Sequence, residues 1–243
     1  MALAIFLPVF ARTKNPGLSL GKAIPLLFIG MCTFIANDLD DLERDRVNHP
    51  ERPLPARHLT PEFAAVLYFV SLTLALFSAR HFVEQDIAVW YYGLFILTIS
   101  YRIIVDCLPS IKAPYVAAAN SVPVLIIARS YPNEPRLYAV AGSVFLFTLG
   151  REICGDLMDR AGDRFSYLHR LRPVSLGVVA FSLHAMGLLL LAVHIRKPGE
   201  IADLLAMTLL LALAGIYWFK LGQGPRASFL MKVQLFVGLY FLL

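Results

Sequence analysis

Residues 18–45 read LSLGKAIPLLFIGMCTFIANDLDDLERD, and this stretch decides the fold class. Positions 18–36 are apolar apart from Ser19, Lys22 and Thr33, a run close to the ~20 residues a helix needs to cross a bilayer. The run ends abruptly in Asn37, four aspartates and Glu43 within 37–45. Comparable runs follow at 63–79, 87–104, 114–128, 137–153, 174–195, 201–219 and 227–243, eight spans in all. Residues 1–11 are also apolar, but at ~1.5 Å per residue they rise only ~15 Å, half of a ~30 Å hydrocarbon core. They read as a ninth helix whose beginning is missing. A signal peptide fits less well, because a charged segment ahead of the apolar run is absent. The expectation is an all-α, polytopic membrane protein of about nine helices, residues 1–243 forming one domain.

Composition agrees: 58% of the 243 residues are hydrophobic and 16% charged, with mean hydropathy +0.66, outside the range of soluble domains. A formal charge of +5 points here to topology rather than to nucleic acid. The 22 Lys and Arg divide fourteen to eight between the two sets of alternate loops, and the richer set, which adjoins 37–45 and 152–173, is expected to face the cytoplasm. Cys32, Cys107 and Cys154 show no paired spacing, and the six histidines form no HExxH-like pattern, so neither zinc nor a disulfide framework is indicated.

The polar segments 37–61 and 152–173 hold most of the acidic residues, and a weak repeat joins them. Asp38, Asp41 and Asp45 are spaced i, i+3, i+7, and so are Asp156, Asp159 and Asp163. At ~100° per residue each triad falls within roughly 60° of a helix circumference, so its three carboxylates can face one point. Asn37 shares the first face and Glu152 the second, whereas Asp40 points away. An Arg-Pro pair follows each set, Arg52-Pro53 and Arg172-Pro173. Pro61, Pro114, Pro135 and Pro173 mark the starts of spans, where a missing N–H costs little.

Like charges one turn apart disfavour a helix by about a few tenths of a kcal/mol per exposed pair, and by more near lipid. A hard divalent cation compensates them. Magnesium takes oxygens from one or two carboxylates and completes its shell with water and phosphate. Two such helix ends, brought together, can hold metal ions bridging to one diphosphate. Asn37, Asp38, Asp41, Asp45, Asp156, Asp159 and Asp163 are the candidate metal ligands, with Asp41, Asp45, Asp159 and Asp163 the catalytic set. Arg46, Arg52 and Arg164 are placed to neutralise what the metals leave. A solvated acidic cap explains one such turn equally well. The same spacing at two equivalent helix ends argues against that for the pair.

The stretch Asn37-Asp38-Leu39-Asp40-Asp41-Leu42-Glu43-Arg44-Asp45, with Asn48-His49-Pro50-Glu51-Arg52-Pro53-Leu54-Pro55 behind it, resembles the NDxxDxxxD signature and trailing N-x-P-x-R-P-L-P of UbiA-type intramembrane prenyltransferases. Asp156-Leu157-Met158-Asp159-Arg160-Ala161-Gly162-Asp163 resembles that family's second motif, DxxDxxxD. The resemblance covers nearly the whole chain. It implies nine transmembrane helices around a central cavity, Mg2+ as cofactor, and transfer of an isoprenyl group from a polyprenyl diphosphate to a lipophilic or aromatic acceptor. It also implies that Lys112 is a diphosphate ligand. Three features depart from the family: the short first helix, Leu108 where members often carry Tyr, and Arg172-Pro173-Val174 where many have Thr-Leu-Pro. The residues around Glu152 and Asp163 look closer to members acting on prenylated glycerol phosphate or quinone precursors than to the 4-hydroxybenzoate branch.

Aromatic residues along the spans, Tyr91, Tyr115 and Phe147 among them, are available to line an isoprenyl groove and offer π-faces to a developing cation. Asn120, inside a span, is a possible cavity residue, and helix–helix hydrogen bonding is the alternative. A membrane terpene cyclase on the same fold is the competing enzyme reading. An ion or phosphate transporter fits less well, because its carboxylates belong near the midplane in broken helices. The expected partners are the two substrates and membrane lipid; no obligate protein partner is inferred.

Overall fold

The computed structural model describes residues 2–48, 50–158, 173–195 and 197–238, all of its regular elements being helical. Seven helices among the described residues are long and apolar enough to cross a membrane. Bulky side chains such as Phe34, Phe69, Ile103, Leu189 and Leu205 stand exposed on them, as a lipid-facing surface requires. The chain divides between Ile99 and Ser100 into two compact units.

The first unit contains α1 (Ala2–Thr13), α2 (Pro16–Asp40), α3 (Leu42–Asn48), α4 (Pro61–Phe82) and the start of α5 (Gln85–Cys107). α1 falls on the short apolar run read at residues 1–11. α2 packs against both α1 and α4. Its start is written in the sequence: Asn15 accepts from the Leu18 N–H at 3.1 Å and Pro16 needs no donor partner. Thr60 and Pro61 repeat the device at α4, with a 3.2 Å bond from the Phe63 N–H. The hydroxyls of Thr33, Thr73 and Ser78 return to carbonyls one turn back, which satisfies them without water. Lys22 corrects an expectation. It is not a loop charge but a buried residue of α2, 3.1 Å from Glu84, while its carbonyl accepts from the Tyr91 hydroxyl at 2.6 Å. Tyr91 is therefore a packing residue.

The second unit holds a 3-10 turn (Pro109–Ile111), α6 (Lys112–Ser130), α7 (Arg136–Met158), α8 (Pro173–Ala192), α9 (Pro198–Gly215) and α10 (Gly224–Gly238). α7 is central, packing on α6, α8 and α10. Small residues bring it close to α8: a methyl at Gly150 would lie 2.4 Å from His184 Nδ1, and one at Gly187 would lie 2.5 Å from Phe147. Close approach of this kind drives helix association where lipid removes the hydrophobic contrast. Phe147 is thus core, and Cys154 of α7, Ala180 of α8, Ala214 of α9 and Ala227 and Met231 of α10 form a buried cluster. A π-helical turn, Ile216–Lys220, follows α9; there Trp218 meets Gly177, and the Phe219 ring lies 5.2 Å from that of Phe181, tilted by 50°. Arg136, expected as a loop charge, is buried and bonds Glu200 at 3.0 Å. α10 covers the first part of the eighth expected span, whose residues 239–243 lie outside those described.

Candidate functional site

The first carboxylate triad spans an interruption. α2 ends at Asp40, Asp41 adopts φ −88°, ψ 1°, and α3 begins at Leu42. The break keeps helical phase, because the Asp41 N–H donates to Asn37 O at 2.9 Å and the Asp45 N–H to Asp41 O at 2.8 Å. The face read from the i, i+3, i+7 spacing is therefore preserved through it.

Asp45 is the buried member, its side chain 4% exposed, and Arg52 Nη1 donates to its Oδ2 at 2.6 Å. The segment after α3 folds back to make this bond. Ala56 N–H donates to Arg52 O, and the His58 and Leu59 N–H groups both donate to Pro53 O, while Leu54 is buried as a plug. Arg57 completes the turn at φ +59°, a left-handed conformation uncommon outside glycine. The Arg52 guanidinium is held above its ordinary value, first by the hydrogen bond to Asp45, against a contrary effect of burial, and then by the charges of Asp45, Asp38 and Asp41. One cation thus stands in the field of all three carboxylates. Asn37 and Asp38 are exposed at the end of α2, and Asp41 is half-buried. Arg46 is turned elsewhere, to the exposed Glu43 at 2.6 Å.

In the second unit Asp156 is buried near the end of α7, and Lys112 Nζ, from the start of α6, donates to its Oδ1 at 2.6 Å. Glu152, one turn earlier, pairs with Arg151. Asn120 is half-buried within α6. Tyr115 shares a 2.7 Å hydrogen bond with Ser100 and lies 5.8 Å from the Tyr101 ring. Asp159, Asp163 and Arg164 lie outside the described residues. Sequence reasoning missed the partners of Asp45 and Asp156. The Arg-Pro pair following each triad was the available signal for Arg52; spacing gave none for Lys112, 44 residues from Asp156.

The donor set suits a hard divalent cation. Its groups are oxygens throughout, and one unit's three carboxylates share a field. Among the described residues no three His, Cys, Asp or Glu side chains form a closed metal cage. Magnesium seldom uses one, since it binds through one or two carboxylates and substrate phosphates.

In each unit a buried carboxylate paired with a cation stands at or just past the end of a helix long and apolar enough to cross a membrane, which fits an integral-membrane protein. The chain belongs to the UbiA prenyltransferase family, whose profile matches residues 4–238. It is similar in fold to a solved structure described as giving structural and mechanistic insights into the biosynthesis of digeranylgeranylglyceryl phosphate synthase in membranes. That similarity has TM-score 0.75 at 17% identity, over 99% of this chain and 90% of that one. No curated protein matches the sequence significantly.

Proposed function

We propose that the chain transfers an isoprenyl group from a prenyl diphosphate to a lipophilic or aromatic acceptor, with Asp41, Asp45, Asp159 and Asp163 as the catalytic carboxylates. Asn37, Asp38 and Asp156 complete the set that would hold Mg2+, and Arg46, Arg52, Lys112 and Arg164 bind the diphosphate. When bound, magnesium supplies positive charge against the leaving diphosphate. The chain's own part is to place charge before the bond breaks. In the first unit Asp45 is buried with Arg52 beside it, and in the second Asp156 is buried with Lys112 beside it. As the allylic C–O bond lengthens, negative charge grows on the diphosphate, and these fixed cations stabilise it. The acceptor captures the carbocation and releases its proton. The observation that carries this reading is Arg52, bonded to Asp45 and in the field of Asp38 and Asp41. We place both motifs on the cytoplasmic side, treat residues 1–243 as one domain, and take a prenylated glycerol phosphate or a quinone precursor as acceptor, with Asn120 as a cavity residue.

Asp41→Ala, Asp45→Ala, Asp159→Ala and Asp163→Ala should each lower magnesium-dependent turnover by about 10²- to 10³-fold, with folding in detergent retained by circular dichroism. Full activity in all four would remove the assignment. Products from a panel of donors and acceptors, read by mass spectrometry, identify the acceptor. A cyclic hydrocarbon formed from donor alone makes the chain a cyclase instead.

A further inference from the structure

We propose that Arg52 and Lys112 are internal counter-ions of Asp45 and Asp156, which a divalent metal has to displace, so that metal and diphosphate bind as a linked pair. This rests on the reading above and adds an order to it. The Asp45 and Asp156 side chains are 4% and 10% exposed, and each meets a cation at 2.6 Å. Burying a carboxylate costs several kcal/mol unless an opposite charge and hydrogen bonds offset it. In each unit the protein supplies that offset from its own chain.

A metal ion arriving alone must break a short charge-assisted bond and leave a second cation beside itself. Diphosphate changes this competition. Its oxygens offer the guanidinium and ammonium groups a new anionic partner, and a carboxylate freed of its cation is then drawn to the metal. Coupling of this kind is reciprocal: whatever diphosphate does for metal affinity, metal does for diphosphate affinity. The exposed pair Arg102–Asp106 serves as an internal control, because water already screens it.

The test is a titration of the purified full chain with Mn2+, followed by electron paramagnetic resonance, with and without inorganic pyrophosphate. Wild type should bind Mn2+ alone weakly and gain at least about tenfold in affinity with pyrophosphate, within the usual range of coupling. Arg52→Gln and Lys112→Gln should bind Mn2+ alone several-fold more tightly than wild type and lose most of the pyrophosphate gain. Arg52→Lys should behave as wild type, and Arg102→Gln should change neither the metal-only affinity nor the pyrophosphate gain. If Arg52→Gln does not fold, Lys112→Gln carries the same sign and decides the matter. Unchanged or weaker Mn2+ binding in the folded Gln variants, with pyrophosphate still effective, overturns the counter-ion role while leaving the diphosphate reading intact. No bound Mn2+ under any condition overturns both.

Discussion

The two units secure their motif-bearing helices in opposite ways. In the first, α2 is broken at Asp41 and its buried carboxylate is held from downstream, by Arg52 seven residues beyond Asp45. In the second, α7 continues through Asp156, and the cation comes from upstream, from Lys112 at the start of the neighbouring helix. Their far ends differ as well. Each motif helix carries a cation there, paired with a carboxylate two long helices later. The Lys22–Glu84 pair has its carboxylate 54% exposed, whereas both members of Arg136–Glu200 are below 10%. At these far ends the first unit keeps its carboxylate close to solvent, while the second fixes α7 by a buried ion pair and close glycine contacts.

That contrast is breakable. Arg136→Ala leaves Glu200 buried without its principal cation, which should cost about 3–5 kcal/mol. At roughly 2–4 °C per kcal/mol for a chain of this size, melting in detergent should fall by about 10 °C. Lys22→Met in the first unit should cost under about 1 kcal/mol from the lost pair, since the Glu84 carboxylate it leaves behind is 54% exposed and screened. Equal losses would erase the distinction. A smaller effect comes from the glycines. Gly150→Ala drives a methyl to within 2.4 Å of His184 and 2.6 Å of the Ala180 carbonyl and should destabilise by about 1–3 kcal/mol. Gly30→Ala in α2 meets nothing within 4 Å and should be neutral or stabilising by up to about 1 kcal/mol. Thermal melts of the two variants decide this.

The smallest effect is a pH dependence. Burial pushes the Glu84 carboxyl up, but its backbone hydrogen bond and Lys22 outweigh that and hold it below its ordinary value. A carboxyl lowered in the folded state contributes stability above its unfolded value, and that contribution is lost as pH falls through the folded one. Wild type should therefore lose slightly more melting temperature than Glu84→Gln on acidification below the usual carboxylate range. Parallel pH profiles would show that the pair contributes nothing measurable.

The helical architecture was legible because the bilayer imposes one dominant constraint. Hydropathy located the spans, and Asn15-Pro16 and Thr60-Pro61 marked two starts through their own capping chemistry. The first carboxylate face was legible too, since i, i+3, i+7 survives the break at Asp41. The break itself was not, because Asp40-Asp41-Leu42 carries neither Pro nor Gly. Lys22 and Arg136 were read as loop charges, since a sequence shows a cation near a helix end but not a carboxylate 62 or 64 residues away that buries it. Lys112 came only through family resemblance. Its bond to Asp156 depends on how α6 and α7 lie side by side, which no local spacing encodes.

The aromatic turn after α9 has a further effect. Tyr217 and Trp218 pack against the cluster containing Cys154, two residues from Asp156, and the Arg226 guanidinium lies 5.8 Å from the Tyr217 ring centre. Indole and phenol rings settle at the headgroup level of a bilayer, apolar body inward and polar edge toward water. Tethered to α7 through that cluster, rings settled at that level would act as a float line for the adjoining end of α7.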